Sequence, residues 1–367
     1  MQITAVTLDR IGGPVQVETL ELADPLDGEV LVKMGASGIC HSDQHVVTGQ
    51  HAAGLPCVLG HEGAGEVVAV GPQVTAVKPG DRVALNWVPS CKVCFFCERD
   101  QHHLCPVITQ RIFTGYMADG TSRISRSGQP ILHYSGISTW ADHMVVPEEC
   151  CQILDPEVPY EVAAVVGCAV ATGVGAALHC GDISPGDSVV VVGAGGVGLS
   201  AVMGAALAEA GQIIAVDREP SKKHLSIDLG ATHFVEADTD ALGKVIELTA
   251  GRGADVVIEA IGSSALQEQW LEAVRPGGTM VLVGVPSISD STKFVSANLI
   301  RSGKTIKGSY YAATDPGQAI EDLCSAFLEG RLPVDRLISK QVRIEDIQDA
   351  IDAMLTGSEG RSVIIYD

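Results

Sequence analysis

The chain has 367 residues, more than one hydrophobic core ordinarily organises, so two domains are expected. With 46% hydrophobic residues, 19% charged residues and 41 glycines, the composition is that of a well-buried globular protein rich in tight turns, which excludes a disordered chain. A formal charge of −21 argues against nucleic acid or an anionic membrane as partner, because both require basic patches.

Residues 1–35 alternate apolar and polar positions (QITAVTL, VQVETLEL, EVLVKM) with breaks at Gly and Pro, the pattern of a β-rich, partly open barrel. No basic or apolar leader pattern precedes the first strand and no run of eighteen apolar residues is evident, so a soluble, unexported, cytoplasmic protein is expected. Eleven cysteines in such a chain read as metal ligands or small buried residues before disulfides.

The loops between these strands carry the chemistry. Gly38-Ile39-Cys40-His41-Ser42-Asp43-Gln44-His45 and Gly60-His61-Glu62 bring a thiolate, imidazoles and a hydroxyl into two short stretches. A lone Cys is usually a core residue and a lone His usually scaffold, so Cys40, His61 and Cys168 (in VVGCAVATG) gain weight only from their neighbours. Cys91-x-x-Cys94-x-x-Cys97 followed by Cys105 is a stronger signal. Four thiolates that close together can fill a tetrahedral Zn²⁺ and leave no corner for water, which marks a structural site. Cys57, Cys150, Cys151, Cys180 and Cys324 have no evident partners, and buried packing is expected for them.

Beyond Cys168 the pattern changes to continuous apolar runs separated by small-residue helices. SVVVVGAGGVGLSAVMGAALAEAGQIIAVD reads as strand, glycine turn, helix and second strand, the βαβ unit of a doubly wound α/β fold. Gly193, Gly195 and Gly198, with Gly196 and Val197 between them, form GxGxxG at a helix start, and Asp217 lies twenty-four residues after Gly193. The turn suits a dinucleotide pyrophosphate and the carboxylate suits adenosine ribose hydroxyls, favouring NAD over NADP; the adjacent Arg218 argues the other way. Strands are expected at ADVVIEAIG and GTMVLVGVP, helices near 220–230, 240–250 and 264–275, and an edge strand near IKGSYY. Lys222, early in a helix, reads as solvated. Two amphipathic helices with following strands complete residues 310–367.

CHSDxH at 40–45, GHEGAGEV at 60–67, the four-cysteine loop and GAGGVG, in that order along the whole chain, resemble the zinc-containing medium-chain alcohol dehydrogenases. MADGTSR and SGQPILHYSGIST are similar to the longer-loop branch that includes class I and class III enzymes. The resemblance implies a GroES-like catalytic domain over 1–169, a Rossmann NAD-binding domain over 170–309, and a segment over 310–367 that returns to the first domain beside a cleft. It implies two Zn²⁺ per subunit: a catalytic ion on Cys40, His61 and Cys168, and a structural ion on Cys91, Cys94, Cys97 and Cys105. Two thiolates and a neutral imidazole balance the charge of Zn²⁺, so a bound alcohol ionises near neutral pH.

The same resemblance implies that Asp43 orients His61 and that Glu62 stands behind the ion; a buried carboxylate paired with an arginine is the alternative for Glu62. Ser42 takes the alcohol proton, which passes by the cofactor ribose to His45. His41, Thr172, Lys222, Val285 and Arg361 fall at cofactor positions; His41 replaces a common Arg, and a surface role is the alternative for Arg361. Trp87, Gln110, Tyr134 and Val285 fall at pocket-lining positions. The implied reaction is reversible NAD-linked oxidation of a primary alcohol, aromatic and allylic ones included, to an aldehyde, by hydride transfer from a zinc-bound alkoxide. Polyol or secondary-alcohol oxidation, and oxidation of a formaldehyde thiol adduct, are the alternatives; residues His51 and Thr109 stand where the glutathione-dependent branch needs an acid and an Arg. A non-catalytic NAD-binding relative is the alternative of another class. A homodimer is expected, with pairing into tetramers left open, and a small alcohol or aldehyde is the partner.

Overall fold

The computed structural model describes residues 1–106, 114–287, 289–355, 357 and 360–367. The chain divides into two compact units, the first of Met1–Cys168, Asp315–Gly330 and Ile338–Asp367, the second of Ala169–Thr314 and Arg331–Leu337. The stretch from 310 onward, expected to return as one piece, alternates instead: residues 310–314 and 331–337 belong with the second unit. Leu332, Val334 and Leu337 anchor that second piece as fully buried side chains.

In the first unit, Gln2–Leu8, Gln16–Leu22, Ile124–Arg126, Gln129–His133 and Cys57–Val58 form a closed barrel where a partly open one was expected. Closure comes from the two-residue strand Cys57–Val58, which pairs antiparallel with Gln2–Leu8 and parallel with Gln129–His133. So short a strand gives no periodic signal in a sequence. A seven-stranded sheet runs in the order 151–153, 82–85, 63–70, 29–38, 361–365, 338–342, and strand His143–Pro147 also pairs with Glu29–Gly38. Glu29–Gly38 is thus central, which is why almost every residue in it is buried. Below it, Val46 of helix His41–Val47 packs with Leu8, Ile39, Trp140 and Ile364 and with Ile347 and Ile351 of helix Ile347–Leu355. Each such side chain contributes about 1.5–3 kcal/mol by leaving water.

The second unit is a six-stranded, all-parallel sheet in the order 233–236, 212–217, 188–192, 254–259, 274–282, 305–308. Strand Ser188–Val192 is buried at every position, as a central parallel strand must be, and the sheet builds outward from it in both directions. Helices Gly196–Leu207, Lys223–Asp228, Ala241–Leu248 and Ser264–Trp270 connect the strands, and Thr305–Gly308 forms one edge.

One helical stretch is apolar on average without being an uninterrupted apolar run. Tyr160–Cys180 is 21 residues of mean hydropathy 1.8, long and apolar enough to cross a membrane. Glu161, Thr172 and His179 interrupt it as a string, yet its mean stays at 1.8. Within the fold, 83% of its apolar window is buried, so it is a core helix.

Candidate functional site

Strand Glu29–Gly38 ends just before Cys40, which is the N-cap of helix His41–Val47. Asp43, at the third helical position, folds back so that Oδ2 accepts the Cys40 backbone N–H at 3.2 Å. Its Oδ1 accepts the Gly60 N–H at 3.0 Å and lies 3.2 Å from His61 Nδ1. One carboxylate therefore ties the Cys40 loop to the His61 loop and accepts from Nδ1, so that in the neutral ring the lone pair is on Nε2.

Cys168 is the last residue of the unit's first segment and lies on the π-helical turn Val166–Val170. Single π-turns inserted in longer helices re-aim side chains and recur at functional sites. One donor atom each from Cys40, His61, Glu62 and Cys168 lie within 4.8 Å of one another, and all four residues are buried. Donation from the Cys168 thiol, against the cost of burial and helped by His61, holds Cys40 well below the usual thiol range. The same contact, with burial, pushes Cys168 up. Burial opposes charge on His61, but the Asp43 carboxylate and then Cys40 outweigh it and raise its pKa.

Glu62 Oε2 accepts a hydrogen bond from Arg361 Nη2, and both side chains are buried. Arg361 is thus neither a surface residue nor free, and the arginine-paired reading of Glu62 describes the observed contact. Burial lifts the Glu62 carboxyl to about 7 despite Arg361. Among the described residues, Glu62 Oε1 has no hydrogen-bond partner and is fully buried, and the Glu62 carboxylate counts among the possible donors. The carboxylate also explains Gly38: a Cβ there would stand 1.9 Å from Glu62 Oε2.

Around this cluster, Ser42 Oγ lies 3.7 Å from Cys40 Sγ, and the Tyr134 hydroxyl donates to the Ser42 carbonyl at 3.4 Å. The rings of Trp87 and Tyr134 stand edge-on to the His61 ring, with centroids 5.9 and 5.5 Å away. His45 sits three residues after Ser42 on the same helix, half-buried, and the His51 ring lies 4.7 Å from it. His41 is exposed, with its ring 6.5 Å from that of His45. Gln110 and Thr109 lie outside the described residues.

The second cluster gathers Cys91, Cys94, Cys97 and Cys105, one sulfur each, within 4.8 Å of one another. Backbone N–H donation, chiefly from Cys97, holds the Cys94 thiol at about 7, where a thiolate ligand is readily formed. This loop is fastened to the returning chain: Lys92 Nζ donates to Asp315 Oδ2 at 2.7 Å and His102 Nδ1 lies 3.6 Å from the same oxygen. Asp315 also caps helix Pro316–Leu328 by accepting from the Gly317 and Gln318 N–H groups. Asp315 carries no mark of the cysteine loop in the sequence; only the DPGQ helix-start pattern singles it out.

In the second unit, Gly195 is the N-cap of helix Gly196–Leu207. A Cβ on Gly198 would meet Gly193 O at 1.7 Å, so only glycine lets the helix start press against the turn. A Cβ on Gly195 would meet nothing within 4 Å, which leaves the backbone there open to approach. Asp217, at the end of the neighbouring strand, accepts from the Ala194 N–H at 2.7 Å and from Lys222 Nζ at 3.0 Å. Lys222 is therefore an ion-pair partner of Asp217 and not a solvated side chain. Arg218 points elsewhere, exposed and 3.3 Å from Glu219. Thr172 lies in helix Ala171–Gly175, which packs on Gly196–Leu207, and Val285 is 60% exposed after the fifth strand. Of the five remaining cysteines, Cys57, Cys150 and Cys324 are buried as expected, whereas Cys151 and Cys180 are half-buried.

With this geometry in hand, comparison with known proteins is direct. Residues 26–156 match the alcohol dehydrogenase GroES-like domain and residues 196–326 the zinc-binding dehydrogenase domain. The chain is 35% identical to an alcohol dehydrogenase class-3 of Cereibacter sphaeroides, over the whole of both chains. It is 34% identical to an NDMA-dependent alcohol dehydrogenase of Amycolatopsis methanolica, covering 100% of this chain and 99% of the other. Among solved structures, a benzyl alcohol dehydrogenase from Acinetobacter calcoaceticus superposes with a TM-score of 0.94 at 30% identity over the whole of both chains. The matches span both units, and the chain belongs to the zinc-containing medium-chain alcohol dehydrogenase family.

Proposed function

We propose that the protein oxidises primary alcohols to aldehydes, reversibly, with NAD, using one catalytic and one structural zinc ion per chain. The observation that carries this reading is the convergence of Cys40, His61 and Cys168 within 4.8 Å, from three separated parts of the sequence. The donor set fits zinc: two thiols, one drawn far down in pKa, an imidazole with a fixed tautomer, and a fourth group, Glu62, whose free oxygen is buried. Zinc supplies the acidity that ionises an alcohol, and NAD accepts the hydride.

The chain's own residues do the rest. Cys40, His61 and Cys168 hold the ion, and Asp43 orients His61. Ser42 Oγ receives the alcohol proton, and His45 carries it onward as a base. Glu62, neutralised by Arg361, sets the field behind the cluster. Trp87 and Tyr134 flank His61 and select flat or unbranched alcohols by apolar contact. The four-cysteine loop holds the second zinc with no position open to substrate. His41, Thr172, Gly193, Gly195, Gly196, Val197, Gly198, Asp217, Lys222 and Val285 bind the dinucleotide; Asp217 repels a 2′-phosphate and so favours NAD. Arg361 contributes to phosphate binding as well as to Glu62. Domain boundaries near 169 and 309, a homodimer joined through the Thr305–Gly308 edge strand, and a cytoplasmic location complete the reading.

The similarity to a benzyl alcohol dehydrogenase supports aromatic alcohols as substrates. The similarity to a class-3 enzyme supports a second reading, oxidation of the adduct of formaldehyde with a thiol. A steady-state screen of primary, aromatic and secondary alcohols with NAD⁺, and of formaldehyde with and without low-molecular-weight thiols, separates them. Turnover of aromatic primary alcohols without thiol is expected; turnover only of a thiol adduct would replace the main reading.

A further inference from the structure

His51 has no part in the reaction described so far, yet it is built against the group that has. The single helix His41–Val47 places Ser42 and His45 three residues apart, and the chain then turns so that the His51 backbone N–H donates to the His45 carbonyl at 3.0 Å. This bond brings the two imidazoles edge to face, with centroids 4.7 Å apart and planes at 74°. Among the described residues, His45 Nδ1 is buried without a hydrogen-bond partner. An imidazole with one orphaned nitrogen is a poor place for a proton to stay, since the charged form needs a partner on both nitrogens. A second imidazole in ring contact, itself half-buried, offers a further site for that proton.

We propose that His45 and His51 form a two-imidazole proton exit, in which the pair holds a single proton and His51 hands it to solvent. The inference rests on His45 acting as base in the proposed alcohol oxidation. One proton leaves the alcohol hydroxyl through Ser42 Oγ, is bound at a ring nitrogen of His45, and departs from His51 to water or buffer. The hydride and its electron pair go to the nicotinamide, and no electron passes through either ring. Two cationic imidazoles at this separation repel, so protonation of one discourages protonation of the other. The pair keeps one member neutral over a wider acidic range than a lone histidine does.

Among the described residues, the titratable groups facing the pair are few. Cys40 favours charge on both rings, His61 disfavours it on His51, and the exposed His41 ring stands 6.5 Å from His45. Burial and, for His45, the proximity of His51 draw both pKa values below the ordinary histidine value.

The test uses the zinc-loaded enzyme and His51→Gln, a substitution at a half-buried position that keeps a polar side chain. Zinc content equal to wild type serves as the check on folding. Imidazole resonances followed by NMR through pH 5–8 are expected to give coupled, two-step curves for His45 and His51 in the wild type. In His51→Gln, His45 should titrate in one step with its midpoint displaced upward, and the acid limb of kcat/KM for alcohol oxidation should move with it. Below that midpoint the variant is expected to lose about fivefold in kcat/KM, the factor that like charges about 4 Å apart exert when screened as in bulk water. Independent one-step curves in the wild type, or an unmoved His45 midpoint and acid limb in His51→Gln, would overturn the pair. His45→Gln separates the two claims: if it leaves the acid limb intact, the base assignment fails; if it abolishes the limb while His51→Gln does nothing, only the pair fails.

Discussion

At the scale of single residues, the sharpest constraint is the packing behind the proposed zinc ligands. Gly38 has no room for a Cβ because Glu62 Oε2 occupies the space, and Glu62 cannot retreat without taking the carboxylate partner from the buried Arg361. Gly38→Ala should cost about 1–3 kcal/mol, read as a lowered urea midpoint. Glu62→Ala should cost more, about 3–5 kcal/mol, because it strands a buried guanidinium. An unchanged midpoint in both variants would show that the pair has no structural weight. Ser42→Ala should lose about 10²–10⁴-fold in kcat while keeping its zinc, whereas Cys168→Ser should lose the catalytic metal itself. The ligand types and the glycine turn were legible because each is a short string with a chemical reason for its spacing. The partner of Glu62 was legible only as an alternative, since the 299 positions that separate it from Arg361 hide a contact made by strand pairing across the core. The solvated alternative for Lys222 fails for a similar reason: the i, i+5 approach to Asp217 needs the turn after the strand, which a helix pattern does not reveal.

At the scale of elements, two ties hold the chemistry in place. Asp315 joins the four-cysteine loop to helix Pro316–Leu328 by capping the helix while taking Lys92 on its other oxygen. Asp315→Ala removes a cap worth about 0.5–2 kcal/mol and frees the loop, so release of the structural zinc to a chelator should accelerate. Equal release rates in wild type and variant would disconnect the two. The second tie lies in the parallel sheet. Asp255 accepts from Ser188, by both N–H and hydroxyl, and from Arg275, and so joins the starts of three adjacent strands. Although burial works against its charge, these donors hold its pKa at about 2. A carboxylate depressed on folding stabilises above its unfolded pKa and loses that effect as pH falls towards the folded value. Asp255→Asn should therefore destabilise at pH 7 by about 2 kcal/mol, with the difference shrinking between about pH 4 and pH 2. A constant difference across that range would contradict the assignment. Strand and helix order in the parallel unit was readable because buried parallel strands form uninterrupted apolar runs. Barrel closure was not, since two residues, Cys57 and Val58, accomplish it.

At the scale of the whole molecule, the exposed edge strand Thr305–Gly308 follows helix Ser296–Ser302, on which Ile300 is 78% exposed; Val295, just before the helix, is 65% exposed. An open strand edge beside apolar side chains is an interface in waiting. Light scattering should give about twice the 38.2 kDa chain mass, or a further doubling, and a monomer would remove the proposed dimer. The domain plan read from the sequence located the change from alternating strands to continuous apolar runs near Cys168. It could not show that residues 331–337 cross back to the second unit, because a four-residue helix carries no periodic signal.

The most direct measurement is anomalous diffraction at the zinc edge from crystals of the purified protein. The account predicts one peak within bonding distance of Cys40 Sγ, His61 Nε2 and Cys168 Sγ, and a second among Cys91, Cys94, Cys97 and Cys105. Zinc at the four cysteines with none at the first cluster, or an ion there bound without Cys168, would contradict it.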